Sequence, residues 1–138
     1  MKFSKLNSPN SFVNVVISKY FIDWDRKVFA PQLKVKNFLK EYWESSIVLE
    51  EFLIPGSKKR IDLINISAKI VIEVSPNSTH LKFNPFMHGS RPGFLKTIKS
   101  DLVKKDWAKA NNLLYIELND SHLKSLSKET FKELGYEL

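Results

Sequence analysis

The chain has 138 residues, with 22 Lys and Arg against 15 Asp and Glu and a net charge of +7. That length suits one domain around one core, while 43% apolar residues, among them 10 Phe and 3 Trp, argue against disorder. With no cysteine, disulfide frameworks, thiolate zinc sites and cysteine nucleophiles are excluded together.

The apolar runs are too short to span a bilayer, and the first residues show no apolar signal-peptide segment. A non-membrane, cytoplasmic protein is therefore expected. The positive excess suggests a polyanionic partner, because each phosphate neutralised by Lys or Arg releases a counterion.

In chain order, residues 1–45 are expected to be N-terminal helices, 46–118 a core and 119–138 a C-terminal helix, all in one domain. Cap-type residues open "NSPNSFVNVVISKYFIDW", and Phe12, Val15, Val16 and Phe21 space as a helical face. A second helix starts near Pro31, with Leu33, Phe38, Leu39 and Tyr42 or Trp43 as its apolar side. Three strands follow: "SIVLEEFLI" up to the turn signal "PGS", "KRIDLINI" up to Ser67, and "KIVIEVS" up to "PNS". Their short connections favour antiparallel neighbours.

Beyond the Gly- and Pro-containing "KFNPFMHGSRPG", residues Phe94, Leu95, Ile98, Leu102, Trp107 and Ala108 mark a long helix. "LLYIEL" reads as a fourth strand, and "SKETFKELG" as a short closing helix stopped by Gly135. A helix between the third and fourth strands is a crossover. The expected fold is thus α/β: a mixed sheet, a three-strand antiparallel meander plus a crossover strand, flanked by helices.

Two acids interrupt apolar strands, Asp62 beside Ile61, Leu63 and Ile64, and Glu73 within Ile70–Val74. With a turn around Asn65 to Lys69, the hairpin register sets Asp62 opposite Glu73, on one face and about 5 Å apart. Carboxylates so placed repel unless a cation lies between them, and Mg²⁺ needs only one or two protein carboxylates plus water and phosphate. The alternative is a solvated face neutralised by Lys59, Arg60 or Lys69.

A strand bearing Asp, a turn, a strand bearing Glu, then a helix and a strand resembles the PD-(D/E)XK nuclease superfamily, over residues 51–118. "Arg60-Ile61-Asp62-Leu63", "Ile72-Glu73-Val74-Ser75" and the downstream His80 are most similar to the branch of very-short-patch repair and homing endonucleases. "Ser100-Asp101-Leu102-Val103-Lys104-Lys105" and the Ala- and Asn-containing stretch after it also look like that branch. The resemblance implies a restriction-endonuclease-like core and a Mg²⁺-dependent DNA endonuclease, with Mn²⁺ as substitute and a homing endonuclease as one form. It further implies a metal site of Asp62, Glu73 and the Val74 carbonyl, with Glu51 as an additional acid. Among other acids, Glu41, Glu44 and Glu50, with Gln32, have no clear place in it.

The departure is Ser75, which stands where the family has its lysine. Lys96 or Lys99, or His80 as a general acid or base, could take over that work; an ordinary loop histidine is the other reading of His80. Lys82, His88, Arg91, Lys96, Lys99 and Lys104, interspersed with Phe83, Phe86 and Met87, form the expected double-stranded DNA contact. Cutting both strands with so small a chain implies a homodimer or higher assembly. Two other readings remain open: a non-catalytic nucleic-acid-binding module on the same fold, and a structure-selective junction resolvase.

Overall fold

Runs of Val, Ile and Leu bounded by turn residues pleat into a four-stranded sheet, β3 (Val48–Leu53), β4 (Arg60–Asn65), β5 (Ile70–Val74) and β6 (Leu114–Leu118). The computed structural model from which this is seen describes residues 1–75 and 102–138. Strand order follows the chain: β3, β4 and β5 are antiparallel neighbours, and β6 joins β5 in parallel. The α/β class and the meander with a crossover strand are as expected from the sequence.

The turns carry the residues the backbone requires. Gly56 has φ 78° in the β3–β4 connection, and Lys69 has φ 60° in the β4–β5 connection, where Asn65 Oδ1 accepts from the Ala68 N–H at 2.9 Å.

Helix α1 (Ala30–Trp43) begins with Pro in its first turn and buries Gln32, Val35, Lys36, Leu39 and Trp43. That stripe has the 3–4 residue spacing of a packed helical face. Its axis of burial is rotated from the expected one because Gln32 and Lys36 lie inside it. On this side of the sheet, Val35, Leu39 and Trp43 pack against Val48, Leu63, Ile70, Ile72 and Val74, together with Leu123 and Phe131 from the C-terminal region.

The first expected helix is not formed. Residues 2–14 make a hairpin instead, β1 (Lys2–Lys5) against β2 (Ser8–Asn14), followed by a 3₁₀ turn at Ile17–Tyr20. Val13, Val15, Val16 and Ile17 are β-branched, which favours extended backbone. The supposed helical face also points outward, since Phe12 and Val16 are exposed.

The hairpin covers the other side of the sheet, where Phe3 joins Leu49, Phe52, Ile61, Ile64 and Val71. Trp107 and Ala108 close this side from α2, helical over residues 102–110. The Trp107 indole N–H donates to the Ser4 carbonyl at 2.7 Å, tying helix to hairpin. Leu102, expected in the apolar stripe, is exposed; Phe94, Leu95 and Ile98 lie outside the described residues.

After β6 the chain makes two short helices rather than one. These are α3 (Asp120–Lys124), capped by the Asn119 side chain, and α4 (Lys128–Glu133), capped by Ser127. Gly135, at φ 95°, ends the second as expected. Among the described residues, no helix is long and apolar enough to cross a membrane.

Candidate active site

The β4–β5 ladder pairs Asn65 with Ile70, Ile64 with Val71 and Leu63 with Ile72. One step further, the same register brings Asp62 opposite Glu73. There the backbone pairing stops and the acid side chains replace it. The Val74 N–H donates to Asp62 Oδ2 at 2.8 Å, and the Asp62 N–H donates to Glu73 Oε1 at 3.3 Å. Each carboxylate thus holds the other strand's backbone, and the two strands part at the acids.

Glu73 is only 7% exposed and Asp62 is half-buried. Burial is the main force on both carboxyls and raises both from their ordinary values. Glu73, with Asp62 as the next contribution, is pushed up to about 8. For Asp62, the Val74 N–H and Lys104 work in the opposite direction without cancelling burial.

Lys104 is the cation of this site. Its Nζ stands 3.5 Å from Glu73 Oε2, and both side chains are mostly shielded from solvent. Among the described residues one ammonium stands against two acids, so the cluster carries an excess negative charge once Glu73 is ionised, inside a protein of net charge +7. An all-oxygen donor pair short of positive charge fits Mg²⁺ or Mn²⁺.

Glu51 is adjacent but does not complete the pair. The β3–β4 ladder joins Glu50 to Leu63 and Phe52 to Ile61, and skips Glu51 and Asp62 between them. Glu51 adopts φ 49°, a left-handed conformation costly for a residue with a Cβ. Leu49 and Phe52, three residues apart, consequently pack in the same cluster, which a regular strand would not allow. The Glu51 carboxylate turns to Arg26, whose Nη2 is 3.0 Å away. Among the described residues no group of three or more acids or histidines is arranged to hold a metal.

Glu50, without a clear place in the expected site, is buried. Its Oε2 stands 2.8 Å from the Nζ of Lys36, which is 0% exposed, and its Oε1 accepts from Arg26 Nε at 2.6 Å. Lys36 spends its other donors on the carbonyls of Asp23 and Arg26, at 2.7 and 3.0 Å. This buried network fastens the segment before α1 to β3 and sets Arg26 beside Glu51.

Ser75 lies just beyond β5, and its N–H donates to the Leu118 carbonyl at 2.8 Å. His80, Lys82, His88, Arg91, Lys96 and Lys99 lie outside the described residues, as do Phe83, Phe86 and Met87. Of the expected nucleic-acid contacts only Lys104 is described, and it faces Glu73 rather than solvent alone. Sequence spacing carried that signal: Lys104, Trp107 and Ala108 stand at i, i+3 and i+4, one helical face, and the last two are buried against the sheet. No family model, curated protein or solved structure matches this chain.

Proposed function

We propose that the chain is a metal-dependent endodeoxyribonuclease of the PD-(D/E)XK type, hydrolysing phosphodiester bonds of double-stranded DNA inside the cell. The observation that carries this reading is the buried Asp62–Glu73 pair at a parting of two strands, with Lys104 as its only close ammonium among the described residues. Burying two carboxylates against each other is unfavourable for folding, and the two backbone N–H groups they accept from would be served as well by uncharged acceptors. It makes sense where a cation is to be held.

Asp62, Glu73 and the Val74 carbonyl would hold Mg²⁺, or Mn²⁺ in its place. When bound, the ion supplies Lewis-acid polarisation of the scissile phosphate and neutralises its developing charge. Lys104 would supply the ammonium that Ser75 cannot. It reaches the Glu73 carboxylate from α2, where it orients the attacking water and offsets charge on the pentavalent transition state. Chain order is irrelevant to that task; only the location of the charge matters. A homodimer, each copy cutting one strand, suits the size of the chain, and homing is one role such an enzyme would serve.

The test is a supercoiled-plasmid nicking assay in Mg²⁺, comparing the natural chain with Asp62→Ala. Metal-dependent nicking that disappears in the variant is expected. Absence of cleavage on duplex, four-way junction and single strand alike rejects the enzyme and leaves a binding module.

A further inference from the structure

A cleft of about 340 Å³ lies between the 3₁₀ turn, the segment before α1 and the β3–β4 edge. We propose that this cleft seats the phosphate backbone of the nucleic-acid strand flanking the cleaved bond, with Lys19, Arg26 and Arg60 as its phosphate ligands. The proposal rests on the nuclease reading above and names where its substrate runs.

The three cations come from three separate parts of the chain and converge on one polar-walled opening. Lys19 and Arg60 are exposed, and Arg26 is 42% exposed. Their donors are only partly used. Arg60 gives Nη1 to the Glu51 carbonyl at 3.2 Å, Arg26 gives Nε and Nη2 to Glu50 and Glu51, and Lys19 Nζ sits 5.2 Å from the centre of the Tyr20 ring. Arg26 Nη1 and Arg60 Nη2 make no bond to the described residues, so each guanidinium keeps an open edge for a phosphate oxygen.

Three acids, Asp23, Glu50 and Glu51, also line the cleft. Glu50 is neutralised from behind by buried Lys36, which leaves the opening with a surplus cation. Position decides what it could serve. Arg60 precedes Asp62 by two residues on β4, roughly 7 Å along a strand, and Glu51 faces the Asp62 position across the β3–β4 ladder. A strand whose scissile phosphate lies at Asp62 and Glu73 would therefore pass its neighbouring phosphates over these cations. The Tyr20 ring, part of the lining, offers a sequence-neutral apolar surface for a sugar or base.

The experiment is fluorescence anisotropy with a short labelled duplex in EDTA, over about 50–200 mM salt. Lys19→Ala, Arg60→Ala and, as a control for charge alone, Lys128→Ala on α4 are compared with the natural chain. Arg26 is left intact because it also anchors Glu50. For each cleft variant the slope of log K against log salt falls by about 0.9, so the affinity lost across that salt range shrinks about 3-fold, equally for unrelated sequences. Cleft variants indistinguishable from Lys128→Ala overturn the proposal, and if the natural chain still nicks plasmid the nuclease reading survives that result. Reduced slopes in a chain that never cleaves keep the phosphate cleft and reject the nuclease.

Discussion

Replacing Glu73 by Gln should make this protein more stable and less useful. The carboxyl sits almost fully buried, with Asp62 beside it and, among the described residues, only Lys104 in compensation. Its folded-state pKa of about 8 lies well above the ordinary 4.5. An acid whose pKa is raised binds its proton more tightly when folded. Its stabilising contribution is therefore complete below about pH 4.5, declines as pH rises, and is lost by about pH 8. At 1.36 kcal/mol per pH unit, the span between those values amounts to at most roughly 5 kcal/mol. Gln keeps an oxygen for the Asp62 N–H but has no charge to desolvate.

The assay is chemical and thermal denaturation in EDTA from about pH 5 to pH 9, the window that linkage assigns to this group. The natural chain should lose stability steadily across it, while Glu73→Gln is flatter. Near pH 9 the variant should be more stable by about 2–4 kcal/mol, roughly 6–20 °C in Tm for a domain of this size. Adding Mg²⁺ should then stabilise the natural chain and leave the variant where it was. Equal or lower stability of Glu73→Gln near pH 9, with a flat profile for the natural chain, refutes the reasoning, because it would mean the carboxylate is already fully compensated.

Other substitutions probe the remaining parts of the site. Lys104→Met should lower kcat by about 10²–10³-fold, the scale of losing one preorganised charge at a transition state, with Lys104→Arg recovering part; equal cleavage by Lys104→Met would move the catalytic ammonium elsewhere. Lys36→Met strands the buried Glu50 carboxylate and should cost about 3–5 kcal/mol in urea denaturation, and pairing it with Glu50→Gln should restore a good part; a loss under about 1 kcal/mol would show that Arg26 alone suffices for Glu50. At φ 49°, position 51 should accept Gly but penalise a β-branched residue, so Glu51→Val should fall about 2 kcal/mol below Glu51→Gly; equal stabilities would mean that the backbone there relaxes.

The acid pair was legible because a hairpin register is local arithmetic. Once the turn is placed near Asn65–Lys69, the partner of Asp62 follows, and the observed Leu63–Ile72 and Ile64–Val71 pairs keep that register. The cation was harder to see, since Lys104 arrives from a helix some way down the chain, and 22 Lys and Arg offer many candidates. Only its spacing to Trp107 and Ala108 singles it out, and that spacing has meaning once those two are known to face the sheet. Lys36 and Glu50 were less legible still. Hydropathy assigns both to solvent, whereas each is buried because it satisfies the other, and Lys36 also caps two carbonyls. The N-terminal hairpin failed for a different reason: Phe12, Val15 and Val16 fit a helical period, but the β-branched run prefers extension, and the buried residue that fixes the hairpin is Phe3, outside the periodic set.

The same contrast separates the two charged clusters. In the Lys36–Glu50–Arg26 network, the buried carboxylate meets an ammonium and a guanidinium at 2.8 and 2.6 Å, and two carbonyls use up the remaining ammonium donors. At Asp62 and Glu73 the count runs the other way, two carboxylates to one ammonium at 3.5 Å. Among the described residues, the fold sets two cations against the buried acid on β3 and one against the two acids on β4 and β5. Structural need explains the first cluster in full. Among the described residues the second has one ammonium for two acids, so a proton on Glu73 or a bound cation balances it, and the proposed metal chemistry uses the latter.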